Sequence, residues 1–173
     1  LTTEQISYYR NELETRGPLL GAKLVATAWT DPSFKEFLLR DPKAAVLVCL
    51  GLKINQGPEF WVLENTASEH HVVVCTLCSC YPKAVLGLPP DWYKSFSYRS
   101  EMVANPRKIL AEFGTYLPRE VKLNVVDSTA DKRYMVLPQR PAGTDHLTHE
   151  ELQELVERDN LIGVTLPTFQ DRA

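Results

Sequence analysis

The sequence predicts an α+β fold: a helical N-terminal arm over residues 1–52, followed by an α+β domain over residues 53–173. Three observations carry this. Asp-Pro pairs at Asp31-Pro32 and Asp41-Pro42 mark repeated helix starts early in the chain. From Phe60 onward the apolar runs become short and valine-rich, the signature of strands. Near the C-terminus Thr148 and Glu151 stand at capping-box spacing, which returns the chain to helix.

Thr2 and Gln5 offer a capping box for a first helix over Ile6 to Leu13, and Gly17-Pro18 is expected to break it. A helical pattern resumes from Leu19 to Trp29. Two short helices follow the Asp-Pro pairs, and Gly51 closes the second of them. Phe60–Glu64 and His71–Val74 read as strands, the latter running into Cys75. Pro89-Pro90-Asp91 opens a short helix through Lys94, and Pro106 to Phe113 is another, ended by Gly114. In Val121–Val125 every second residue is apolar, which predicts a strand with one buried face. Arg133–Leu137 is a further strand stopped by Pro138, and the helix begun at Thr148 is expected to reach about Asp159. The arm either embraces another subunit or covers one face of the sheet.

The chain has 173 residues, 44% of them apolar and 24% charged, the balance of an ordinary folded domain. A net charge of -3 gives no electrostatic case for nucleic acid or anionic membrane. No apolar run approaches the roughly 20 residues that span a bilayer. No secretory signal is read in the first residues, so a cytoplasmic location is expected.

Of the four cysteines, Cys49 stands alone in an apolar run and reads as a small core residue. The other three fall in Cys75-Thr76-Leu77-Cys78-Ser79-Cys80, too tightly clustered to staple distant segments. Cys-x-x-Cys spacing lets two sulfurs converge on one ion through a tight turn. In an extended Cys-Ser-Cys, side chains alternate, so Cys78 and Cys80 share a side that also faces the peptide nitrogens of Ser79 and Cys80. An amide nitrogen binds only after losing its proton, which suits a strongly polarising trivalent ion better than zinc. Three other readings stay open on spacing alone. Zinc could be held by the three thiols with His71, a Cys78–Cys80 or Cys75–Cys78 disulfide could form a redox switch, or all three could be structural thiols.

The residues after the loop resolve the choice by resemblance. Val74 to Pro82, Leu86-Gly87-Leu88-Pro89-Pro90-Asp91-Trp92-Tyr93-Lys94, Tyr98-Arg99, Pro106 to Leu110, Glu112-Phe113-Gly114, Asp127 to Ala130, Arg133 to Pro138 and Arg140 to Thr144 resemble the nitrile hydratase α subunit. The resemblance implies a layered α/β/β/α metal-binding domain and the hydration of nitriles to amides. It implies that Cys75, Cys78 and Cys80 supply sulfur and that the amides of Ser79 and Cys80 supply nitrogen to a low-spin trivalent metal. It further implies Cys78 as sulfinate and Cys80 as sulfenate. Thr76 and Tyr81 in the loop resemble the cobalt(III) members more than the iron(III) ones.

By the same resemblance Gln56 lies beside the reacting water and the Ser79 hydroxyl faces the site. Arg133 supports the oxidised cysteines at the subunit interface, and Tyr81 packs over the loop. His70 and His71 are read as neither ligands nor catalysts, and Trp29, Trp61 and Trp92 as core or interface aromatics. A β subunit is implied as partner in an αβ heterodimer or higher assembly, and a metallochaperone or activator as the source of the metal. The chain departs from the family after Tyr81-Pro82, where Lys83-Ala84 replaces the usual tryptophan and proline. A basic residue at this place resembles the thiocyanate hydrolase γ subunit, the alternative reading. A zinc-stabilised interaction domain is the non-enzymatic one.

Overall fold

The computed structural model describes residues 2–170, and the side chains of these residues except 9 and 12–17. Helix α1 runs unbroken over Thr3–Thr30, with the Thr2–Gln5 capping box formed in both directions. The break expected at Gly17-Pro18 is absent, and Pro18 lies inside the helix. Proline costs an interior helix about 3 kcal/mol. Packing holds the helix together across it: Ala22, Leu24, Val25, Ala26 and Ala28 beyond Pro18 are buried. They face helix α4 (Lys83–Leu86), helix α8 (His149–Glu154) and helix α9 (Arg158–Ile162).

Helices α2 (Pro32–Arg40) and α3 (Pro42–Leu50) start as expected, with the Asp31 and Asp41 carboxylates accepting from Phe34 and Ala44 amides. Cys49 is half-buried on α3, packed on the core. Strand β1 (Glu59–Glu64) pairs in parallel with β4 (Lys132–Leu137), and β2 (Glu69–Val74) pairs in parallel with β3 (Lys122–Asp127). The result is a mixed helix-and-strand fold with α2 and α3 against β1, and α9 against both β2 and β4. Strand β3 does not have the single buried face that its sequence predicts; its four inner residues are all half-buried. Asn124 accounts for part of this, because its amide turns to Glu69 at 2.6 Å on the neighbouring strand.

Between Cys80 and β3 come α4, α5 (Asp91–Lys94), α6 (Phe96–Ala104) and α7 (Pro106–Glu112). Neither α4 nor α6 was signalled clearly by the sequence, although Ser95 caps α6 through the Tyr98 amide at 3.2 Å. The C-terminal helix ends at Glu154 rather than near Asp159. A new cap then starts α9, the Glu157 amide donating to Asn160 Oδ1 at 2.7 Å. This break lets Leu152, Val156, Leu161 and Ile162 all reach the core. Gly163 closes α9 with φ +88, and a Cβ there would stand 2.1 Å from the His71 carbonyl oxygen. Only glycine meets both demands. No helix among the described residues is long and apolar enough to cross a membrane.

Candidate metal centre

Strand β2 delivers Cys75 to the site. Val74 pairs in register with Asp127 at the end of β3, so Asp127 stands directly beside the loop that follows. Its carboxylate accepts from the Thr76 amide at 2.9 Å and the Thr76 hydroxyl at 2.5 Å. Arg99 of α6 holds the other side of the same residue, donating to the Thr76 carbonyl at 3.3 Å. Two buried phenols bracket the loop: Tyr98 donates to Val73 O at 2.7 Å and Tyr93 to Cys80 O at 2.8 Å. Tyr81, Trp92, Tyr93, Tyr98 and Phe113 stack edge to face behind it, with Trp92 4.8 Å from Tyr98 and 4.7 Å from Phe113. Trp29 and Trp61 sit elsewhere, Trp29 donating to Pro138 O at 2.8 Å.

The loop turns its sulfurs together. Cys75 Sγ and Cys78 Sγ are 3.5 Å apart, Cys78 Sγ and Cys80 Sγ 3.1 Å, and all three lie within 4.8 Å of one another. These separations exceed the ~2.05 Å of a disulfide, and all four cysteines are free. Around an ion with bonds of ~2.3 Å to sulfur, right-angled ligands put sulfurs about 3.3 Å apart and tetrahedral ones about 3.8 Å. The Cys78–Cys80 distance fits the right-angled arrangement, and the Cys75–Cys78 distance lies between the two. The Cys78 amide donates to Cys75 Sγ at 3.3 Å.

Among the described residues, the three cysteines form the one group of histidine, cysteine and acidic side chains able to hold an ion, and no histidine joins it. His70 is 3% exposed, with Nε2 2.7 Å from Gly163 O and Nδ1 3.1 Å from Asn65 Nδ2, so both ring nitrogens are engaged. His71 Nδ1 lies 3.2 Å from Asn65 Oδ1. A tetrahedral zinc site would lack its fourth protein ligand here.

Without a cation Cys78 and Cys80 are pushed in opposite directions. Hydrogen bonds from Cys80, then Cys75, lower the pKa of Cys78, and the Ser79 and Cys80 amides add a smaller lowering, while burial pushes Cys80 up to about 12. Arg133, which lines the same cavity, acts weakly in the opposite sense on Cys80. Arg133 is half-buried on β4, in register with Phe60 of β1.

A cavity of about 530 Å³ opens beside the loop, bringing Gln56, Ser79, Lys83 and Arg133 to Cys78 and Cys80. Ser79 also lines a second cleft with Arg158, Lys94 and Lys83. Tyr81 is 4% exposed, and burial raises its phenol well above the ordinary value. Lys83 is exposed at the first turn of α4. Reading the sequence did not single out Asp127, Arg99, Tyr93 or Tyr98 as parts of the site. The signal for Asp127 is its place at the end of the strand that pairs with the cysteine-bearing one.

The model of the family described as "Nitrile hydratase, alpha chain" matches residues 1–165. A low-molecular weight cobalt-containing nitrile hydratase subunit alpha from Rhodococcus rhodochrous is 54% identical over 167 residues, covering 96% of this chain and 79% of its own. The thiocyanate hydrolase subunit gamma of Thiobacillus thioparus is 43% identical over 176 residues, covering 96% of this chain and 72% of its own. Among solved structures, an Fe-type nitrile hydratase from Comamonas testosteroni Ni1, carrying a pair of histidine-to-alanine substitutions, superposes with a TM-score of 0.92 at 41% identity. That likeness covers 100% of this chain and 87% of that one. A match of this extent, on a chain whose three loop thiols converge, shows that the chain belongs to the nitrile hydratase α-chain family.

Proposed function

We propose that this chain is the metal-carrying subunit of a cobalt nitrile hydratase, adding water across a carbon–nitrogen triple bond to give an amide. The observation that carries the reading is the convergence of the Cys75, Cys78 and Cys80 sulfurs within 4.8 Å of one another, with the Ser79 and Cys80 peptide nitrogens on the backbone that joins two of them. These five groups would hold the ion. A trivalent cobalt there supplies Lewis acidity, polarising the nitrile or activating water. Cobalt rather than iron is favoured by Thr76 and by the cobalt-containing relatives.

The chain's own groups prepare the reaction. Gln56 both donates and accepts hydrogen bonds, so it orients the water whose oxygen joins the nitrile carbon while its two hydrogens end on nitrogen. Ser79, half-buried at the cavity wall, aims a hydroxyl at the same space. Exposure grades the sulfurs for oxidation: Cys78 is exposed, Cys80 is 8% exposed and Cys75 0%. That order supports sulfinate at Cys78, sulfenate at Cys80 and an unoxidised thiolate at Cys75. Arg133 donates to the oxygens so formed.

A β subunit completes the cavity in an αβ heterodimer or higher assembly, and a metallochaperone or activator loads the ion in the cytoplasm. The 85% exposure of Leu77, at the tip of the metal loop, supports a partner there. The arm, residues 1–52, contributes to that interface through Ile6 and Tyr8, which are exposed near its start.

The γ subunit of a thiocyanate hydrolase is the second reading, favoured by Lys83 on the cavity wall. The test is product release by the cobalt-replete αβ enzyme. Amide from a simple nitrile, with thiocyanate untouched, supports the first reading. Carbonyl sulfide, ammonia and hydroxide from thiocyanate and two waters, with the nitrile untouched, replaces it by the second. Cys80→Ala should remove activity and weaken cobalt retention, whereas His70→Ala should keep its cobalt; cobalt loss from the histidine variant would sink the ligand assignment.

A further inference from the structure

We infer that the cavity beside the metal loop selects a small anion bearing a C≡N group, a cyano-carboxylate or thiocyanate, and that Lys53 and Lys83 set this preference. The inference rests on the proposed hydration for its chemistry and on the charge of the cavity walls for its selectivity.

No carboxylate lines the cavity: apart from the loop cysteines and Arg133, which on the proposed reading pairs with their oxygens, its charged side chains are Lys53 and Lys83. Glu59, which lies between Pro58 and Phe60 of the lining, does not enter. Strand alternation turns Phe60 inward and Glu59 out, where Glu59 accepts from Trp61 Nε1 at 3.0 Å and faces Lys132 at 3.9 Å. Elsewhere Lys35, Lys94, Lys122 and Lys132 each have a carboxylate partner. Lys53 and Lys83 have no ion-pair partner among the described residues.

Past Ser79, in the second cleft, Lys94 pairs with Asp91 at 3.0 Å and Arg158 with Asp159 at 3.4 Å, and Lys83 lines both cavities. The field of two lysines without carboxylate partners on a concave wall raises the local concentration of the opposite charge at its mouth. A neutral nitrile gains nothing from that field.

Geometry divides the cavity by role. Arg133 pairs in register with Phe60 on the strand wall of the cavity, which Cys78 and Cys80 also line. Lys53 lies on the segment between α3 and β1 and Lys83 on the first turn of α4, so two separate elements each bring an exposed lysine to the cavity. Ile54, Phe60 and Val85 supply apolar wall. An occupant with its cyano group toward the thiols, a short apolar stem and a carboxylate toward the lysines meets all three surfaces. Thiocyanate, with no stem, meets the same charge.

The experiment compares kcat/KM of the cobalt-replete αβ enzyme for cyanoacetate, for propionitrile as the neutral molecule of similar size, and for thiocyanate, at low and high salt. Lys53→Gln and Lys83→Gln are measured alongside, their melting curves confirming that these exposed substitutions leave the fold intact. The preference for an anion should exceed unity at low salt, shrink at high salt, and fall about two- to fivefold in each variant through KM. Hydration of propionitrile with no anion preference, or a preference unmoved by either substitution, overturns the inference and leaves the hydratase reading standing. Turnover of thiocyanate with both nitriles untouched, sensitive to the lysines, upholds the inference and overturns the hydratase reading. No turnover of any of the three overturns both.

Discussion

The hydroxyl of Tyr93 donates to the carbonyl of Cys80 at 2.8 Å, from a ring that is wholly buried. It fixes the downstream end of the metal loop, as Tyr98 fixes the upstream end at Val73. Tyr93→Phe keeps the ring stacking and removes only the donor, leaving a buried carbonyl unpaired at a cost of about 1–3 kcal/mol. The variant should fold with a lower melting temperature and show an altered sulfur-to-cobalt absorption band. An unchanged band with a lowered melting point would confine Tyr93 to stability.

Asp127 clamps Thr76 by both its amide and its hydroxyl. Groups that orient a metal loop from outside the ligand set commonly matter by 10–100-fold. Asp127→Asn retains one acceptor oxygen but loses the charge and one of the two bonds. Cobalt content per chain should fall, and kcat should fall by about tenfold or more, with the fold preserved by circular dichroism. Full cobalt content and full kcat in that variant would show that the clamp is dispensable.

The parts of this architecture legible in the sequence are those written locally. The Asp31 and Asp41 caps, both parallel-paired strand segments that flank the loop, and the thiol cluster itself all follow from short-range pattern. Pro18 misled because a proline's local penalty says nothing of the buried face that Leu24 and Val25 build beyond it. The helix beginning at Thr148 stops early because Asn160 offers a competing cap, visible only once the core needs Leu161 and Ile162. Tyr93 and Asp127 escaped notice for a similar reason. Each reaches the loop from a distance, across 13 residues for Tyr93 and 51 for Asp127, and such pairings are set by packing.

His70 makes the fold sensitive to acid. Burial lowers its pKa below 6.5, against the smaller opposing effect of the Gly163 carbonyl, and burial lowers His71 in the same direction. The unfolded chain therefore binds more protons than the native one as pH falls. The stabilisation is fully present above the unfolded value near 6.5 and is lost as pH drops below it, by up to about 1.4 kcal/mol per pH unit for His70 and by less for the more exposed His71. The melting temperature should be flat above pH 7 and decline below 6.5. His70→Gln should melt lower at neutral pH yet decline less steeply; an identical slope would assign the acid response to other groups.

The exposure of the three sulfurs makes a prediction about their oxidation. Cys78 faces solvent, Cys80 is nearly covered and Cys75 is fully covered. An oxidant arriving from solvent reaches Cys78 first and longest, so that residue should climb furthest up the ladder from sulfenic to sulfinic acid. Mass spectrometry of peptides from the cobalt-loaded enzyme should find two added oxygens on Cys78, one on Cys80 and none on Cys75. Protein expressed without cobalt should carry little oxygen on Cys80, because burial keeps that thiol protonated unless a bound trivalent ion holds it as a thiolate. Equal oxidation of all three sulfurs, or full oxidation without cobalt, would mean that neither exposure nor the metal governs the modification.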